Sequence, residues 1–195
     1  PGLVLERANN LLAPDIPRNM FVTCLYILLN PETGELVFAN AGHNLPILCS
    51  PGKAEELRVR GMPLGLMPGM KYDEQRAVIQ PGESILLYSD GLVEAHNPRR
   101  EMFEAPRLLS LLKTYSGGAA QIQASLRELA AFTGPEWEQE DDVTLVTLER
   151  EPLGVMGQDE TLLPPGERLL AEFEVESRPG NERRAVEQVV EIVRS

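Results

Sequence analysis

The 195 residues are 43% hydrophobic, 25% charged and 5% aromatic, a balance that allows a globular core and excludes a disordered or fibrous chain. With 18 lysines and arginines against 30 aspartates and glutamates, the net charge of −12 has the wrong sign for neutralising nucleic-acid phosphates, so no nucleic-acid partner is expected. No apolar run approaches the roughly 18–20 residues of a membrane span and none reads as a leader, so no membrane insertion is expected, and the chain reads as cytoplasmic.

In chain order, Val4, Ala8, Leu11 and Leu12 recur at helical spacing before Pro14 and Pro17, which predicts a short amphipathic helix ending near Leu12. The apolar run 21–29 and the segment 35–39, joined by a turn ending at Gly34, predict a buried hairpin. A second hairpin is predicted from 46–49 and 56–60, and a third from 76–79 and 84–88 around Pro81-Gly82. The period then changes: 106–114 and 119–132 carry leucines at helical spacing, broken by Ser116-Gly117-Gly118. A last strand is predicted over 143–148. Cys24 and Cys49 lack a partner spacing for zinc and are expected to be buried free thiols.

From Glu151 to Gly166 the periodicity is lost and Pro and Gly accumulate, as in an interdomain linker. Beyond it, 169–175 alternates as a strand and 181–193 carries a valine stripe as a helix. A strand and a helix alone cannot enclose a core. The predicted organisation is therefore a domain over 1–150, a linker over 151–167, and the start of a second domain over 168–195; a strand-helix appendage on the first domain is the alternative.

Chemistry is concentrated at two places. Tyr88-Ser-Asp-Gly91 runs a buried strand into a carboxylate and a glycine, which holds the Asp90 oxygens on a rigid base with room beside them. Glu140-Asp-Asp-Val143 sets Asp141 and Asp142 directly before another core strand, within a segment, 136–142, in which five of seven residues are carboxylates. Converging carboxylates repel unless a cation compensates them, and oxygen-only donors favour magnesium, manganese or calcium. The bland reading is a solvated acidic loop, which suits Glu136, Glu138 and Glu140. His43, in a glycine-flanked turn, is expected to make a structural hydrogen bond to backbone; His96, beside Asn97 and Pro98, is expected to be exposed; Trp137 is expected to anchor the acidic loop.

Four blocks in this order resemble the PPM family of metal-dependent serine/threonine protein phosphatases, in the bacterial branch similar to stage II sporulation protein E: Met20-Phe-Val-Thr23; Asn40-Ala-Gly-His-Asn44 with Pro46; Gly61-Met-Pro-Leu-Gly65; and the pair Ser89-Asp-Gly91 and Asp141-Asp-Val-Thr144. The resemblance covers about residues 3–148, roughly the C-terminal two thirds of such a domain. It implies an α+β fold, an antiparallel β-sandwich flanked by helices, with two manganese or magnesium ions that activate a water against a phosphoserine or phosphothreonine. Asp90 and Asp141 match the family's metal-binding, catalytic aspartates; Gly91, Asp142 and Thr144 match supporting positions. The implied partner is a phosphorylated regulatory protein such as an anti-anti-sigma factor, and a homodimer is compatible with the pattern.

The family's first metal motif, a Gly-Asp followed by Gly-His-Gly, is absent from these residues, and Phe103-Glu104 stands where the family usually has Phe-Gly. The segment is therefore expected to lack the carboxylate that bridges the two ions. A catalytically silent phosphatase-like module and a metal-dependent hydrolase of small phosphoesters are the competing readings. The tail 168–195 resembles the opening of the histidine-kinase-like ATPase domains that act as anti-sigma factor kinases.

Overall fold

A computed structural model describes residues 1–17, 19–114, 117–135 and 140–151. The predicted linker and second domain fall outside the described residues apart from Glu151, and so does Trp137.

The first helix, α1 (Gly2–Leu12), ends where Pro14 prevents its continuation. Its phase differs from the predicted stripe. Leu5 and Asn9 face inward, whereas Val4 and Leu11 are exposed. Asn9 tolerates full burial because its amide is satisfied twice: Nδ2 donates to the Met67 carbonyl at 2.8 Å, and Oδ1 accepts from the Gly65 amide at 2.9 Å.

Among the described residues seven strands form two sheets, and each of their ladders is antiparallel. The first sheet has the order β1 (Cys24–Leu29), β2 (Glu35–Ala41), β5 (Gln75–Val78). Its hairpin closes through Asn30, whose side chain accepts the amides of Glu32 and Thr33, and through Gly34 at φ +74°. The second sheet has the order β4 (Lys53–Glu56), β3 (Ile47–Ser50), β6 (Ser84–Tyr88), β7 (Leu145–Glu149).

Two predicted hairpins are corrected. The second turns more tightly than expected: Ser50 pairs with Lys53 across Pro51-Gly52, and the ladder ends at Glu56. The alternation of Leu57 and Val59 reports burial in the core without strand pairing. The third is not a hairpin. β5 pairs with β2 and β6 with β3 and β7, so Pro81-Gly82 carries the chain from one sheet to the other.

Leu36, Phe38, Val59, Ile79 and Ile85 fill the space between the sheets. On the outer side of the first sheet, Leu5 of α1 packs on Ala39 and Ala41. On the outer side of the second, Ile47, Leu86 and Tyr88 meet Phe103 and the leucines of α3 (Ala105–Leu112) and α4 (Gly118–Thr133). The centres of both sheets are thus covered on both faces, with each fully buried Leu or Ile contributing about 1.5–3 kcal/mol. Leu28 and Val78 of the first sheet and Val146 and Leu148 at the edge of the second are exposed, and the expected burial of the 21–29 run fails at Phe21, Val22, Leu28 and Leu29. In α4 the inward positions include Gln121 and Ser125 while Leu126 is exposed, again a shift from the predicted leucine stripe. Thr147 Oγ1 donates to Gln121 Oε1 at 3.0 Å, which satisfies the oxygen of this buried glutamine, while its Nε2 is buried without a hydrogen bond.

One local strain stands out before α3. Glu104 adopts φ +62° and ψ 150°, a region that favours glycine. Its amide donates to the Val93 carbonyl at 2.8 Å and that of Phe103 to Ala95 at 2.9 Å, which holds the backbone in place.

Candidate active site

β6 is buried almost throughout and ends at Tyr88, directly opposite Leu145 at the start of β7. The register therefore delivers the residues after Tyr88 and those before Leu145 to the same end of the second sheet. A short helical turn, α2 (Asp90–Val93), follows at once, with Gly91, Leu92 and Val93 buried beneath an exposed Asp90.

Ser89 brackets the two segments. Its Oγ donates to the Asp142 carbonyl at 2.8 Å and accepts from the Thr144 amide at 2.8 Å, while its own amide donates to the Thr144 carbonyl at 3.0 Å. Gly91 is required by the same closeness: a Cβ there would lie 2.5 Å from the Asp142 carbonyl oxygen and 3.1 Å from that of Asp141. In the sequence Ser89 stands out only as part of the Ser89-Asp-Gly91 block. The available signal was a small hydroxyl residue between a core strand and a carboxylate, facing another carboxylate-strand junction.

Asp90 Oδ1 accepts from the Gly91 amide at 3.1 Å, and Asp141 Oδ1 from the Asp142 amide at 2.7 Å. These bonds orient each carboxylate from its own backbone. Asp90, Asp141, Asp142 and Thr144 are exposed, so they form a solvent-facing acidic corner on a rigid floor. Asp142 and Thr144 enter this geometry through backbone atoms. Tyr88 belongs to the floor, and burial, with Glu56 adding to it, pushes its phenol up to about 12.

Next to this corner, Glu140 corrects two expectations. His96 is half-buried rather than open to solvent, and its Nδ1 lies 2.7 Å from Glu140 Oε2. Arg100 Nη1 reaches Glu140 Oε1 at 2.9 Å. Glu140 is therefore ion-paired and not a simple solvated member of an acidic loop. The His96 hydrogen bond first, and then the charges of His96 and Arg100, hold its carboxyl below the usual range. Glu136 and Glu138 lie outside the described residues.

His43 also differs from expectation. Its ring Nδ1 meets the side-chain hydroxyl of Thr23 at 3.1 Å, and it is the His43 backbone that Asn40 clamps, accepting from its amide at 2.7 Å and donating to its carbonyl at 2.8 Å. That turn belongs to the β2–β3 connection, which joins β3 at the end where its register with β6 leads on to Tyr88 and Ser89. Of the cysteines, Cys49 is buried with its thiol pushed up to about 11 by burial, and Cys24 is only partly buried; both are free.

The donor chemistry of the corner is hard and oxygen-only, which fits magnesium or manganese. No group of three His, Cys, Asp or Glu side chains placed to hold one ion occurs among the described residues. The residues present therefore fit part of such a donor set. A cavity of about 350 Å³ lies elsewhere, on the first sheet, lined by residues such as Leu28, Val37, Arg76 and Val78. No helix among the described residues is long and apolar enough to cross a membrane.

Comparison with known proteins follows this geometry. The chain is 27% identical over 157 residues to the phosphoserine phosphatase RsbU of Bacillus subtilis, a match covering 77% of this chain and 45% of that protein. It is 29% identical over 132 residues to protein IcfG of a Synechocystis strain, covering 67% of this chain and 21% of that protein. The chain thus spans less than half the length of either curated relative. Among solved structures it is similar to the SiaA-PP2C domain of Pseudomonas aeruginosa, with a TM-score of 0.66, 20% identity, and coverage of 77% of this chain and 61% of that one. The phosphatase domain of the cell fate determinant SpoIIE from Bacillus subtilis, presoaked with manganese, matches with a TM-score of 0.56, 12% identity, and coverage of 76% and 66%. The RsbU and RsbW domains of Rv1364c from Mycobacterium tuberculosis match with a TM-score of 0.55, 23% identity, and coverage of 88% and 44%. These likenesses show the α+β PP2C-like fold with its two antiparallel sheets. A family model, stage II sporulation protein E (SpoIIE), matches residues 1–151, and the chain belongs to that family.

Proposed function

We propose that the chain forms part of a metal-dependent serine/threonine protein phosphatase, in which Asp90 and Asp141 hold divalent cations for hydrolysis of phosphoserine or phosphothreonine on a regulatory protein. One observation carries this reading: the Tyr88–Leu145 register brings the ends of two core strands, and with them Asp90 and Asp141, to one corner. Ser89 and the bare Gly91 keep the two backbones there in contact. Manganese or magnesium bound in the full site, two ions in all, would lower the pKa of the attacking water and neutralise charge on the phosphoryl group. The chain's own part is to hold the carboxylates: Asp90 by the Gly91 amide, Asp141 by the Asp142 amide, and both segments by Ser89.

The corner is exposed, and neither the cavity on the first sheet nor a smaller one beside Arg150 includes it. An open acidic corner supports a phosphate carried on a protein surface over an enclosed small phosphoester. A phosphorylated anti-anti-sigma-like protein in a cytoplasmic stress or developmental pathway is the partner class we favour, as the resemblance of the four sequence blocks implies, and the RsbU relative is a phosphoserine phosphatase. For residues 168–195 the proposal is the start of a histidine-kinase-like ATPase domain, carried by the resemblance of that segment's sequence alone.

A silent phosphatase-like module is the second reading, favoured by the lack of a three-residue ligand group among the described residues. The test is phosphate release from a phosphoserine-bearing protein in manganese, using the protein at its full natural length. Release that is lost in Asp90→Asn supports the enzyme. A folded Asp90→Asn protein as active as wild type overturns the role of Asp90, and no release from either, despite bound manganese, favours the silent module.

A further inference from the structure

Glu140, the residue before Asp141, is held from a distance in sequence. His96 and Arg100 reach it across 44 and 40 residues, at 2.7 and 2.9 Å. An ionised carboxylate only accepts hydrogen bonds, so the His96 ring presents a protonated Nδ1 to it.

Both residues come from a turn that is stiff by construction. His96 bridges to Met102, and the Asn97 amide donates to the Glu101 carbonyl at 3.0 Å. Asn97 Oδ1 accepts the amides of Arg99 at 2.9 Å and Glu101 at 3.0 Å, and its carbonyl accepts that of Arg100 at 2.9 Å. Arg100 is held at φ +64°, a conformation side chains seldom adopt. The base of the turn is fixed in the core, where Ala95 and Phe103 are buried and joined by a 2.9 Å backbone hydrogen bond.

The Arg100 side chain is 79% exposed, and an ion pair so open to water adds little to global stability. Its effect is local, on the segment it grips. We propose that the 96–102 turn is a positioning arm that, by holding Glu140, fixes Asp141 and Asp142 against Asp90 for cation binding. This rests on the reading of Asp90 and Asp141 as metal ligands, and His96 and Arg100 act through Glu140 without touching the cation themselves.

The sign of one substitution separates positioning from bare electrostatics. Arg100→Ala removes a positive charge near a cation site, so charge alone predicts tighter binding of manganese. A lost positioning arm predicts weaker binding, by about tenfold, the low end for groups that orient metal ligands. The experiment titrates the full chain with manganese alone and follows free Mn(II) by electron paramagnetic resonance, alongside amide hydrogen exchange of residues 140–144. Expected are weaker binding and faster exchange of the Asp142 and Thr144 amides in Arg100→Ala, with most of the affinity regained in Arg100→Lys. Equal or tighter binding in Arg100→Ala overturns the arm alone. Failure of the wild-type chain to bind manganese at millimolar ion overturns the ligand reading, and the arm with it.

Discussion

At one end of the β6–β7 ladder, beyond Tyr88 and Leu145, Asp90, Asp141 and Asp142 lie exposed on a backbone bracketed by Ser89. At the other end, where Ser84 faces Glu149, the next residue, Arg150, turns its guanidinium onto three carbonyls of the opposite sheet's connections: Thr33 at 2.7 Å, Glu32 at 2.8 Å and Ile79 at 2.9 Å. The two ends are only roughly 13–14 Å apart at the usual rise per strand residue. One carries a cation whose hydrogen bonds are spent on joining the sheets, and the other carries anions held by their own backbone and turned to solvent. Along a single strand pair, the Arg150 end ties the two sheets together and the acidic end presents exposed carboxylates.

That separation can be broken first at Asp90. In the full-length protein, Asp90→Asn should reduce phosphate release by about a hundredfold or more, as expected for loss of a metal-holding group, while the melting temperature stays within about 2 °C. A large drop in melting temperature would show that the acidic end also holds the fold. Gly91→Ala tests the floor beneath it. Its Cβ would meet the Asp142 carbonyl, a backbone atom that cannot swing aside, and the loss should be about 2–3 kcal/mol, roughly 5–10 °C by calorimetry. A variant that melts like wild type would refute the tight contact.

At the opposite end, Arg150→Ala should cost about 1–2 kcal/mol, because three charge-assisted hydrogen bonds are lost from a partly exposed site, yet leave activity per folded molecule unchanged. A fall in activity after correction for the folded fraction would couple the two ends. Glu104→Gly acts between them and should stabilise by about 1 kcal/mol, since it relieves a backbone conformation that glycine adopts freely; a lower melting temperature would show that the Glu104 side chain matters more than its strain.

A separate effect concerns alkaline pH. Burial raises the folded-state pKa of Cys49 to about 11 and of Tyr88 to about 12, from ordinary values of 9.0 and 10.0. A group raised on folding keeps its full contribution below the unfolded value and loses it as pH climbs toward the folded one. Stability should therefore decline from about pH 9 to 11 through Cys49 and from about pH 10 to 12 through Tyr88. Cys49→Ala and Tyr88→Phe should each flatten the matching part of the curve measured by chemical denaturation.

Much of this was legible before any coordinates. The segments 35–39 and 84–88 read as strands from apolar runs bounded by turn residues, and the leucines of 106–114 as a helix from their spacing, and the structure has β2, β6 and α3 there. The acidic corner was legible as two carboxylate-strand junctions. What failed had physical causes. Pro81-Gly82 looks the same whether a chain reverses within a sheet or crosses between sheets, because turn chemistry is local and pairing is not. Asn9 and Gln121 upset the helix phases, since a polar residue can face inward when its hydrogen bonds come from residues far along the chain. The grip of His96 and Arg100 on Glu140 was hidden for the same reason: nothing at positions 96–100 names a partner forty residues away.

Arg150 has a practical consequence for anyone cutting this protein. The last residue of β7 is Glu149, and a fragment ended there would keep every strand of both sheets and still lose all three guanidinium bonds to the first sheet's loops, as well as the backbone bonds of Arg150 to Gly82 and Glu83. Two truncations that look equivalent on a secondary-structure diagram, one stopping at 149 and one at 151, should therefore differ in yield and in resistance to proteolysis, with the longer one the sounder starting point for crystallisation.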